Sequence, residues 1–202
     1  MKFHRYNPYF NFVKAPMEFN KHTDRKTLQY CLGSTLYMPG TKDIKEKVVR
    51  KELDVTSFVM CCEDAIKEED LPLAEQNIFN TLDYLAEKIK EGVITLDDIP
   101  LIFIRVRNPQ QFKTFSSHLT LEQASVLTGF NFPKFNSRNA LDVLTDSRCP
   151  CGVRTTLLPI CIFQRKVWFA KNGLAEVIQT VLDMSECRIG ILRCSQCHPH
   201  VS

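Results

Sequence analysis

A chain of 202 residues with 44% hydrophobic content suits one domain with a real core. Its 26 basic and 23 acidic side chains nearly balance at +3, and no basic run exceeds a few residues, which argues against charge-driven binding to nucleic acid or a membrane surface. No segment approaches the roughly 18 apolar residues of a membrane helix. The N-terminal MKFHRYNPYFNF lacks a signal-peptide core, so a cytoplasmic protein without nucleic-acid or membrane partners is expected.

Residues 1–33 are aromatic and polar without a clear period, and read as an N-terminal arm over the domain. From Ser34 a pattern repeats. The apolar run Thr35-Leu36-Tyr37-Met38 stops at Pro39-Gly40, and a helix follows with Thr41 as its N-cap candidate and Ile44, Val48 and Val49 on one face. A second run, Phe58 to Cys62, stops at Glu63-Asp64. The longest helix comes next, with the stripe Leu71, Ile78, Leu82, Leu85 and Ile89, Pro72 in its first turn and Gly92 at C′.

The third run, Leu101 to Ile104, stops at Arg105-Val106-Arg107-Asn108. A helix from Thr120, with Gln123 placed for a capping box, is expected to end at Gly129. The fourth run is Phe130-Asn131-Phe132, stopping at Pro133-Lys134. A fifth, Thr155 to Ile160, precedes an amphipathic helix in which Leu174, Val177, Ile178, Val181 and Leu182 share a face. Short apolar strands alternating with amphipathic helices define an α/β fold with a parallel sheet and helices outside it. Residues 34–184 form this unit and 185–202 an atypical tail. Polar residues gather where the strands end, the face on which α/β active sites form, although charges also mark where strands emerge into solvent. Periodicity alone fits a barrel and an open sheet equally.

Four segments carry a resemblance: Leu36-Tyr37-Met38-Pro39-Gly40, Val59 to Ile66 with its Cys61-Cys62-Glu63-Asp64, Ile104-Arg105-Val106-Arg107-Asn108, and Phe132-Pro133-Lys134. In that order they resemble the first strands of the citrate lyase β-subunit and HpcH/HpaI aldolase family. With Phe10-Asn11-Phe12 and Pro16 they are more similar still to the carbon–carbon bond lyase of TIM-barrel fold found in tellurite-resistance gene clusters. The resemblance implies a parallel β/α (TIM-type) barrel and a Mg²⁺-dependent lyase. Its substrate would be a small oxo-acid, hydroxy-acid or acyl thioester of the acyl-CoA type, cleaved through a metal-stabilised enolate. It places the substrate carboxylate on Arg105, whose planar fork suits it. An ion pair of Arg105 with Glu63 or Asp64 is the structural alternative, and both can hold. Pro39 and Gly40 would let backbone approach the ligand, and Lys134 would stand at the fourth strand end. Glu63 and Asp64 match the acidic pair and are the catalytic candidates. Adjacent residues on an extended chain point to opposite sides, so one is expected to face the barrel mouth, with Glu63 reaching the metal through water.

The chain also departs from that pattern. Where the family has metal-ligating carboxylates, this sequence has Asn136, a weak neutral ligand, and Ile162, which is none. A complete barrel takes about 250 residues. A C-terminally shortened copy with five to six of eight strands, in need of a partner or a homo-oligomer, is therefore expected. Of nine cysteines only Cys31, Cys61 and Cys62 precede Cys149. Cys194-Ser195-Gln196-Cys197-His198 has the c-type haem spacing, yet haem attachment requires export. A zinc site from Cys149, Cys151, Cys194, Cys197, His198 or His200 is chemically sensible but irregularly spaced, and accidental cysteines are the competing explanation. The competing functional reading is a catalytically dead barrel or partner-binding subunit.

Overall fold

The computed structural model describes residues 17–133 apart from Gln29, together with Asn11, Val13 and the strand Ile160–Cys161. Five parallel strands form one sheet in sequence order: β1 (Leu36–Pro39), β2 (Ser57–Cys61), β3 (Leu101–Arg105), β4 (Gly129–Phe132) and β5 (Ile160–Cys161). Strands β2 and β3 are unbroken apolar runs because both of their faces are covered, as in sheets built from β/α units. Parallel order in chain sequence with helices between strands is a β/α barrel in part, as expected for the fold class. The amphipathic segment 174–182 and the Cys-rich tail lie outside the described residues.

Side chains alternate between two cores. Met60, Ile102, Ile104, Phe130 and Phe132 face the helices, packing with Ile78, Leu82 and Leu85 of α3 (Leu71–Lys90) and Phe112 and Phe115 of α4 (Pro109–His118). Phe112 meets the rings of Phe130 and Phe132 edge-on, each at 4.9 Å. Val59, Leu101 and Phe103 face the barrel interior, where Phe19 and Leu28 of the N-terminal arm close over them. The arm carries a short helix of its own, α1 (Arg25–Leu28).

Lys21 fastens the arm. Its buried Nζ donates to the carbonyls of Ala124 (2.6 Å) and Leu127 (2.8 Å) at the C-terminal end of α5 (Leu121–Val126). Burial pushes this ammonium down to about 8. Thr128 then pins the register of β3: its hydroxyl accepts from Ile102 N at 3.0 Å and its N–H donates to Ile102 O at 2.8 Å.

Local signals place most helix ends. Pro72 lies in the first turn of α3, and Gly92 takes φ +75° at C′. Gly92 N donates to Ile89 O and Val93 N to Lys88 O, both at 3.0 Å, which is a Schellman closure. Thr120 and Gln123 form the capping box of α5, and Gln123 Nε2 also reaches Asp83 Oδ1 of α3 at 2.8 Å.

Three expectations need correction. Thr41 does not cap a helix: α2 runs Lys45–Val49 with Ile44 at its N-cap. Asn77 of α3 donates to the carbonyls of Gly40 (2.6 Å) and Lys42 (3.1 Å), holding this segment as a turn. Helix α5 ends at Val126, and Gly129 begins β4 instead of closing the helix. Helix α4 was not expected at all, although Asn108 caps it, accepting from Gln111 N at 2.8 Å, with Pro109 as its first residue.

Candidate active site

The register aligns Pro39, Cys61, Arg105, Asn131 and Ile160 as one row across the five strands. Arg105 is two residues beyond Phe103 on β3, so its side chain leaves the same inner face. Asn131 is its partner on β4 and is fully buried. Tyr37, two residues before Pro39, stands on that face as well. The barrel geometry thus gathers Tyr37, Arg105 and Asn131 at the C-terminal end of the strands.

Arg105 Nη2 donates to Glu63 Oε2 and, at 2.8 Å, to Asp64 Oδ2. Both carboxylates therefore converge on one guanidinium nitrogen, against the expectation that they diverge. Strand β2 ends at Cys61, and residues 62–66 bend into a turn closed by Ile66 N donating to Glu63 O at 3.2 Å. The alternation of an extended chain does not apply in a turn. The two acids differ in setting: the Glu63 side chain is 8% exposed and that of Asp64 64%.

Arg107 builds this turn. Its Nε donates to Cys62 O (3.1 Å) and its Nη2 to Ile66 O (2.8 Å), one carbonyl on each side of the acidic pair. Gln111 of α4 supports it from behind, accepting from Arg107 N at 2.6 Å and donating to Glu75 of α3 at 2.7 Å. Cys62 is buried in this turn, and burial, aided by Glu75, pushes its thiol up to about 12, so it carries no thiolate chemistry.

The guanidinium of Arg105 also lies over the Tyr37 ring, 5.9 Å from its centre. Asn131 Nδ2 donates to the Tyr37 hydroxyl at 2.6 Å. Among the described residues, two buried polar atoms on this face have no hydrogen-bond partner, Arg105 Nε and Asn131 Oδ1. A buried polar group left unmatched costs about 1–3 kcal/mol, so two on register-paired residues mark a place where the fold is not optimised for stability alone.

Gly40 packs closely against helix α3. A β-carbon there would sit 3.1 Å from Ile78 Cδ1 and 3.2 Å from both Ala74 Cβ and Cys61 O. Gly40 N donates to Cys61 O, and Gly40 O accepts from Asn77. Its missing side chain admits helix α3, and its N–H and carbonyl are each already hydrogen-bonded. Pro39 remains exposed at the end of β1. Lys134, Asn136 and Ile162 lie outside the described residues. Sequence reasoning passed over Tyr37, Arg107 and Asn131. The available signals were the Arg-x-Arg spacing at 105–107 and a lone amide inside the aromatic run Phe130-Asn131-Phe132.

The described residues do not fit a directly ligated Mg²⁺: Glu63 and Asp64 both engage Arg105, and among the described residues no group of three His, Cys, Asp or Glu side chains is placed to hold a metal. Nor is any described helix long and apolar enough to cross a membrane.

Fold and site together define a parallel β/α barrel with a polar cluster at its strand ends. The family described as C-C bond lyase of the TIM-barrel fold matches residues 26–194, and the chain belongs to it. No curated protein and no solved structure matches the chain.

Proposed function

We propose that this protein is a carbon–carbon bond lyase, citrate-lyase-like or aldolase-like, acting on a small oxo-acid, hydroxy-acid or acyl thioester. The observation that carries the reading is Arg105: a guanidinium on the inner face of a strand end, held from one side by two carboxylates, with its buried Nε unpartnered. Nε, with a nitrogen freed from Asp64, offers the substrate carboxylate a donor fork. Family membership supplies the reaction class.

In the cleavage direction a base removes a hydroxyl proton, the C–O bond becomes a carbonyl, and the adjacent C–C bond breaks. Its electron pair passes to the neighbouring carbon as an enolate, which then takes the proton back. Asp64, solvent-exposed and already at Arg105, is the acid/base in this proposal. Glu63, nearly buried, is the positioning residue that fixes the guanidinium. Arg105 is also the cation next to the developing enolate charge. Pro39 borders the substrate space, and Lys134 belongs to the same strand-end face by resemblance. No step is written through Mg²⁺.

A second reading, a barrel that binds such ligands without turning them over, has one observation in its favour. Asn136 and Ile162 stand where the resemblance places metal-ligating carboxylates. Thermal melting with pyruvate, oxaloacetate, malate and acetyl-CoA, beside a chromatographic assay for cleavage products, tests both. Stabilisation by carboxylates that Arg105→Gln abolishes, together with product formation, is the expected result. Stabilisation without product selects the second reading, and an Arg105→Gln variant that binds as well as the parent removes the carboxylate role.

A further inference from the structure

We infer that Asn131 makes the strand-end site selective for a hydroxy-acid over an oxo-acid or a plain carboxylate, an inference that rests on Arg105 binding the carboxylate. Arg105 and Asn131 are register partners on adjacent strands, so their Cα atoms lie about 5 Å apart. Both side chains leave the inner face. Each contributes one buried atom without a partner among the described residues, and the two atoms are complementary in kind. Arg105 Nε has a hydrogen to donate, and Asn131 Oδ1 has lone pairs to accept with.

The orientation of the amide is set by its other end, since Nδ2 donates to the Tyr37 hydroxyl at 2.6 Å. With Nδ2 so engaged, Oδ1 is the end of the amide left for a ligand. An acceptor there asks for a donor on the ligand. A carboxylate has none, and neither does the keto oxygen of an oxo-acid. A hydroxyl one or two carbons from a carboxylate has one, and it fits the arrangement: carboxylate on Arg105 Nε, hydroxyl hydrogen on Asn131 Oδ1.

Tyr37 touches both partners, ring to Arg105 and hydroxyl to Asn131, and is 40% exposed. It is the side chain whose displacement admits the ligand to both atoms. Tyr37 is thereby a positioning residue, orienting the amide while the site is empty. Leaving Oδ1 unmatched in the free protein makes discrimination large, since a ligand without the hydroxyl leaves that buried acceptor unsatisfied in the complex also.

The test compares malate, succinate and oxaloacetate by titration calorimetry without added metal, so that chelation does not contribute. Malate and succinate differ by the hydroxyl alone, and oxaloacetate replaces it with a keto oxygen. Malate is expected to bind the parent protein about tenfold or more tighter than either of the others. Asn131→Leu is expected to bring the three together, and Asn131→Asp, which keeps an acceptor, to retain the preference for malate over oxaloacetate. The comparison on the parent protein needs no variant, so a misfolded Asn131→Leu does not remove the test. Equal binding of the three ligands by the parent, lost in Arg105→Gln, overturns the role of Asn131 and leaves the carboxylate site standing. Binding of none of them by the parent overturns the carboxylate reading itself.

Discussion

Replacing Lys21 by Met keeps an unbranched buried side chain, one atom shorter, and removes its charge. The folded protein holds this ammonium at about 8, against 10.5 for a free lysine, because burial disfavours the charged form. The unfolded chain then binds a proton that the folded chain has released, between those two values. Stability therefore rises with pH through that window, and the gain is lost as pH falls back through 8. A drop from 10.5 to about 8 corresponds to about 3 kcal/mol. The Met variant lacks this term at every pH, and its lost hydrogen bonds to Ala124 O and Leu127 O add an offset that does not depend on pH. Urea unfolding followed by circular dichroism, in reducing buffer at intervals from about pH 7 to about pH 10.5, measures the difference between parent and variant and subtracts all other titrations. The difference is expected to be flat below 8 and to grow by up to about 3 kcal/mol above it. A difference flat to pH 10.5 would refute the argument, because it would mean that the two carbonyls keep the ammonium charged despite its burial.

Three further outcomes are expected. Arg107→Met removes two charge-assisted bonds to the carbonyls flanking Glu63 and Asp64, at a cost of about 2–4 kcal/mol, and loosens carboxylate binding at Arg105 although Arg107 touches no ligand. Unchanged ligand affinity in a destabilised variant would separate the turn from the site. Gly40→Ala forces contacts of 3.1–3.2 Å on α3 and costs about 1–3 kcal/mol, lowering the melting temperature while leaving carboxylate affinity intact. Millimolar Mg²⁺ alone leaves the melting temperature unchanged, since Asn136 and Ile162 replace the expected carboxylates and Arg105 engages the acidic pair. A rise of several degrees with Mg²⁺ would show a metal site assembled from other groups.

What was legible in the sequence divides by the range of the forces involved. Strands β2 and β3 were readable because a strand covered on both faces is an apolar run, whatever packs on it, and β1 and β4 because short apolar runs stop at Pro-Gly and Pro-Lys. Pro72, Gly92 and the Thr120–Gln123 box were readable because each acts within a few residues of itself. Thr41 misled for the opposite reason: Asn77, a turn of α3 distant in sequence, holds residues 40–42 and decides where α2 begins. Helix α4 escaped because its ten residues include only two large apolar side chains, Phe112 and Phe115, too few to mark a period beside so many polar neighbours. At the site, Arg105, Glu63 and Asp64 stood out as charges at strand ends. Their convergence did not, because it depends on a turn fixed by Arg107, which follows another strand. Tyr37 and Asn131 were hidden within apolar runs, where only the pleat separates a residue facing the helices from one facing the interior.

The bonds from Thr128 to Ile102 have a consequence for how this chain tolerates changes in length. They fix β3 near its start, so changes of length in the exposed part of the connection ahead of it, away from the buried Ile94 and Ile99, leave Arg105 in place. Within β3 itself there is no such freedom. Deleting one residue between Leu101 and Ile104 would turn Arg105 toward the helices and present an apolar neighbour to the interior, with the sheet still paired. Insertions at the exposed Val93 should therefore be tolerated without loss of the site, while the spacing from Ile102 to Arg105 stays invariant in any working copy.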